Sequence, residues 1–157
     1  MRTLRYDGRL SPWPKAWRWA LCFIVITSIL SCSELDGGLI VDHASFVDAL
    51  KREGYIVDVA GEVEQPFLSV KGTMLRLRGA SLSQPAEVQS YNYESASAAK
   101  SEASKIGPDG NPKGSQIFWV EPPHFYIRER VLVVYVGSEP QVTGLLTRLF
   151  GPQFAGR

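Results

Sequence analysis

Cysteine and histidine are almost missing from this 157-residue chain, which holds Cys22, Cys32, His43 and His124 and no others of either kind. A zinc site built on several thiolates is therefore excluded. No His-Glu-x-x-His, no Gly-x-Ser-x-Gly elbow and no glycine-rich loop ending in Gly-Lys-Ser/Thr occurs. Residues 107–114 are rich in glycine but broken by Pro108 and Pro112. Asp109-Gly110-Asn111 lacks the spaced acids and terminal glutamate of a calcium loop. The expectation is no metal and no cofactor. Long apolar runs are absent too, since the most apolar stretch, residues 19–30, has 12 residues where a membrane span needs about 20.

What is present begins with a leader. Arg2, Arg5, Arg9, Lys15 and Arg18 precede that apolar stretch, which ends in Ile29-Leu30-Ser31-Cys32 and gives way to Ser33-Glu34 and Asp36-Gly37-Gly38. Positive charge, a short apolar core and a small residue before the cut make a signal peptide. With a cysteine directly after Ser31, this resembles a bacterial lipoprotein signal. The resemblance implies cleavage between Ser31 and Cys32 and a diacylglyceryl, palmitate-type lipid on the Cys32 sulfur. An ordinary secretory signal is the competing reading.

Removing residues 1–31 leaves 126, enough for one domain with its own core. The leader takes five of the 17 basic residues and one of the 16 acidic ones, so the mature chain carries 12 and 15, a net charge of −3. Such a surface lacks the clustered Lys/Arg that nucleic acid requires. Cys22 leaves with the signal and Cys32 is consumed by lipid, so no disulfide is expected.

Past the signal at 1–31, residues 32–44 read as lipidated N-terminus and tether, and 45–157 as a single domain. Ser45, with Asp48 as capping-box partner, starts a helix whose apolar face is Phe46, Val47 and Leu50 and which Gly54 ends. Tyr55, Val57 and Val59 alternate as a strand. Residues 67–70 and 73–78 flank Lys71-Gly72 as a hairpin, and 88–94 add a strand with Gln89, Tyr91 and Tyr93 on one face. Ala96, Ala99, Ala103 and Ile106 line a second helix, followed by a turn cluster at 107–112. Residues 117–120, 125–127 and 131–136 read as strands, the last apolar throughout, as in a strand covered on both faces. Ser138 and Gln141 cap a final helix striped by Val142, Leu145, Leu146, Leu149 and Phe150, stopped at Gly151-Pro152. The order predicts an α+β fold: two layers, a largely antiparallel sheet with helices packed on one face.

Chemistry concentrates in Trp119-Val120-Glu121-Pro122-Pro123-His124-Phe125-Tyr126. Glu121, His124 and Tyr126 are the candidate acid–base group of an envelope enzyme. A lone histidine beside two prolines better suits a bent strand edge with a local hydrogen bond, and His43, near the first helix, reads as a solvated side chain. Trp119, Phe125, Tyr126, Tyr91 and Tyr93 are the candidate binding aromatics, each with core packing as the alternative.

Trp119, Pro122-Pro123-His124-Phe125-Tyr126, Val134-Tyr135-Val136-Gly137 and Gly151-Pro152-Gln153-Phe154-Ala155-Gly156 are similar to segments of a group of small bacterial proteins, many of them lipoproteins. That resemblance implies a fold and no chemistry. The expectation is a membrane-anchored, non-enzymatic binding or accessory module of the cell envelope. It would face the periplasm or the exterior, held by the lipid on Cys32, with an envelope protein or small ligand as partner.

Overall fold

A computed structural model describes residues 39–80 and 82–157, so the leader, Cys32 and the first part of the tether lie outside the described residues. The described chain runs α1 (His43–Arg52), β1 (Tyr55–Val63), β2 (Gly72–Gly79), β3 (Ala86–Asn92), α2 (Ala96–Ala103), β4 (Pro123–Arg128), β5 (Val131–Val136), α3 (Pro140–Phe150) and β6 (Ala155–Gly156). The strands form one antiparallel sheet in the order β1-β2-β3-β5-β4-β6, and the class is α+β.

Strand alternation divides the core into two clusters. From β5, Val131, Val133 and Tyr135 point to the face under α1 and α3, where Phe46, Leu50, Leu145 and Leu146 meet them. Leu132 and Val134 point the other way, to Ala99 of α2, Leu68, Tyr91 and Phe125. Each fully buried aliphatic or phenyl side chain contributes about 1.5–3 kcal/mol. Helices α1 and α3 share a face as expected. Helix α2 lies on the opposite one, where its alanines allow close approach, and this supplies the second cover that the all-apolar β5 demands. Over β1, β2 and the start of β3 that second face carries a polar ladder, Asp58 to Arg78 (2.6 Å) and Arg76 to Glu87 (2.7 Å).

The boundaries differ from the expected ones for identifiable reasons. Helix α1 is capped by Asp42, whose carboxylate accepts from Ser45 N–H (2.9 Å) while the Ser45 hydroxyl accepts from Asp42 N–H (2.9 Å). Ser45 thus closes the capping box from inside the helix, and Ile40 is already buried, so the folded unit starts before residue 45. Helix α3 begins at Pro140 with Glu139 as cap, because proline fits the first helical position. The expected hairpin arm at 67–70 is a turn: Pro66 has no N–H, Leu68 N–H folds back to Gln65 O (3.0 Å), and Phe67 and Leu68 plug the second cluster. Strand β2 pairs instead with the long β1, which bulges between Val59 and Gly61. Residues 117–120 form no strand, and β6 is a two-residue addition absent from the expected order.

Candidate functional site

The segments around Pro122-Pro123-His124 and Gln153-Phe154-Ala155-Gly156 zip together at one end of the sheet. Pro122 O accepts from Gly137 N–H (3.0 Å), Pro123 O from Arg157 N–H (3.1 Å) and Phe125 O from Phe154 N–H (3.0 Å). Gly156 N–H reaches across to Pro108 O (3.0 Å), tying in the glycine-rich loop. The loop is braced internally: Asn111 donates to both Asp109 carboxylate oxygens (3.1 and 2.8 Å) and its own Oδ1 accepts from Ile117 N–H (3.0 Å). These bonds from the Asn111 side chain and backbone hold the Asp109 carboxyl below its ordinary range.

His124 sits inside this clasp. Its ring stacks on Tyr135, its cross-strand partner, at 5.9 Å and 20°. Nε2–H donates to Gly137 O (3.1 Å), and Nδ1 lies 2.6 Å from the side-chain amide of Gln153. A half-turn of that amide exchanges its oxygen for an N–H, so either end can pair with Nδ1. Both nitrogens therefore have structural partners. Glu121 is exposed and makes no hydrogen bond with the ring, and Tyr126 is buried under α3 with its hydroxyl 3.4 Å from Thr143 O, a weak contact. The three candidate acid–base residues do not converge.

The candidate aromatics are mostly core. Phe125 is fully buried at the centre of a ring cluster with Trp119 (5.9 Å), Phe154 (6.1 Å) and Phe67 (6.5 Å). Tyr91 is buried and donates to Gln89 Oε1 (2.8 Å), and burial raises its phenol pKa. Tyr93 is buried too, its phenol pushed up by burial and then by the Glu102 charge, and its hydroxyl has no partner among the described residues. Leaving a buried hydroxyl unpaired costs about 1–3 kcal/mol. Tyr93→Phe is accordingly expected to raise stability by about 1 kcal/mol in urea unfolding; a loss of similar size would mean that the hydroxyl is satisfied.

His43 is half-buried instead of solvated. Its Nδ1 lies 3.0 Å from the buried Ser90 hydroxyl, and its N–H donates to Asn92 Oδ1 (3.1 Å). Burial lowers its pKa from the ordinary 6.5, against an opposing pull from Asp42. The unfolded chain thus binds a proton that the folded chain resists just below pH 6.5, so this contribution is full above 6.5 and is lost as pH falls. Unfolding midpoints measured between pH 8 and 5 should decline toward acid in the wild type and decline less in His43→Asn. Equal slopes would contradict the burial argument.

Exposure passes to two residues that the sequence assigned to a strand. Phe118 is 92% exposed and Val120 83%, while the alternating Ile117 and Trp119 are half-buried, with the indole N–H buried and without a partner among the described residues. They border an open cleft of about 320 Å³ that also takes in Gln116, Glu121 and Arg157. None of those three side chains makes a hydrogen bond or ion pair with the described residues, whereas Asp109 and Asn111 in the same cleft are spent on bracing the loop. The arrangement can hold a ligand by apolar contact and by hydrogen bonds of either sense; it assembles no proton-transfer pair. Among the described residues no cluster of His, Cys, Asp and Glu is placed to hold a metal ion, and no helix is long and apolar enough to cross a membrane. Compared with protein-family models, with curated proteins and with solved structures, the chain matches none.

Proposed function

We propose that this chain is a bacterial envelope lipoprotein, a non-enzymatic binding or accessory module held by a diacylglyceryl group on Cys32. The anchor reading is supported by the basic leader, the apolar stretch of 12 residues and the order Ser31-Cys32. The binding reading is carried by the cleft beside Phe118, where Gln116, Glu121 and Arg157 are uncommitted while both nitrogens of His124 are taken. Each buried CH₂ of a lipid chain contributes about 0.8 kcal/mol; one chain binds marginally and two give stable attachment. Ile40 is buried eight positions after Cys32, so at about 3.3–3.6 Å per residue the tether reaches at most ~29 Å. The domain would then stay close to the bilayer, facing the periplasm or the exterior.

Cys32→Ala tests the anchor. In cells fed labelled palmitate, the wild type should carry label and fractionate with membranes, and the variant should lose the label and be released or remain unprocessed. Normal trimming with unchanged membrane association in the variant would remove the proposal, and release of a trimmed, unlabelled wild type would identify an ordinary secretory signal.

A further inference from the structure

Ile117-Phe118-Trp119-Val120 has the composition and alternation of a strand and no strand partner among the described residues. Within 116–120 the one backbone group bonded to another described residue is the Ile117 N–H, on Asn111 Oδ1, and none of the five carbonyls accepts a hydrogen bond from a described residue. The side chains alternate between half-buried Ile117 and Trp119 and the exposed Phe118 and Val120. A local pattern that disagrees with the fold is expected where a site carries a function. We propose that residues 116–120 are a docking strand for an extended segment of a partner protein. The segment would pair with this main chain and lay alternate side chains against Phe118 and Val120 along the cleft.

Three features favour a peptide over other occupants. Free main-chain donors and acceptors spaced along a β-patterned segment match another extended chain. A lipid surface would bury those same groups unpaired, which hydrocarbon does not tolerate. The uncommitted Gln116, Glu121 and Arg157 add an amide and charges of both signs for the polar groups of such a segment. This inference rests on the domain being a binding module and is independent of the lipid on Cys32.

The test pans the full chain, purified in detergent micelles, against a phage-displayed library of random dodecapeptides. Enriched sequences should alternate apolar and polar residues. Synthetic copies should lose about tenfold or more in affinity for Phe118→Asp and for Val120→Pro, and when alternate peptide nitrogens are methylated, because strand addition runs through main-chain hydrogen bonds. Both substitutions are at exposed positions, so an unchanged unfolding midpoint serves as the control for folding. No enrichment, or peptides that bind both variants as well as wild type, would overturn the proposal. So would a dimer that shields Phe118, or an N-acetylglucosamine oligomer whose binding the same substitutions abolish. Lipidated protein that enriches nothing removes the docking strand and keeps the anchor; unlipidated protein that enriches alternating peptides does the reverse.

Discussion

Gly156→Ala is expected to unseat β6 and lower stability by about 3 kcal/mol, combining a left-handed backbone with overpacking. Gly156 has φ +101°, and a Cβ built there would run into the Pro123 carbonyl oxygen, with the Pro123 carbonyl carbon at 2.8 Å and His124 Cα at 3.1 Å. None of these atoms can yield. Pro123 O is already bonded to Arg157 N–H, and β4 is pinned along its whole length by β5. The change should lower the urea midpoint and speed amide exchange at Phe154, Gly156 and Arg157, the residues that bond β4 and Pro108. A wild-type midpoint would show that the C-terminal strand is not part of the cooperative fold.

Phe125→Ala should cost about 4 kcal/mol, within the range for emptying a fully buried phenyl site. Phe125 is 0% exposed and is the ring that Phe67, Trp119 and Phe154 all touch, so its loss leaves three aromatic neighbours facing one cavity. Trp119 should report the change directly: near-ultraviolet circular dichroism of the indole should collapse before the far-ultraviolet signal does. A cost below 1 kcal/mol would mean that the cluster closes over the gap and that β4 is not the centre of the second core. Because Trp119 also flanks the exposed Phe118, this variant is expected to loosen the cleft as well as the core.

The sequence was most legible where one physical requirement dominated. Val131-Leu132-Val133-Val134-Tyr135-Val136 has no polar position, which a strand tolerates only when both faces are covered, and β5 is such a strand. The same reading put all helices on one face, because an alanine stripe reports close approach without saying to which side. At α1 both Asp42 and Ser45 can cap, and the reciprocal pair of bonds placed the cap three residues earlier than the hydroxyl alone suggested. Residues 67–70 and 117–120 share the apolar composition of strands, yet one is a core plug behind Pro66 and the other has no ladder to join. Ladder partners are non-local, so composition cannot supply them. Strand β6, Ala155-Gly156, is too short to have a period; its signal was chemical, a glycine where the backbone of Pro123 leaves no room for a Cβ.

The candidate site divides along the same line. His124 makes two hydrogen bonds, and neither is the local bond that the flanking prolines suggest. Its partners, Gly137 and Gln153, are 13 and 29 residues away and were visible only once the strands were paired. Tyr91, Tyr93, Phe125 and Tyr126 are core, while Phe118 and Val120, which a strand reading does not single out, are the exposed apolar pair beside the cleft.

The proposal that this is a lipid-held binding module is tested most directly by the mass of the N-terminal peptide of the protein isolated from cell membranes. The expected species is a chain that begins at Cys32 and carries a diacylglyceryl group on its sulfur. A chain isolated with residues 1–31 still attached, or one beginning elsewhere with Cys32 as a free thiol, would contradict it.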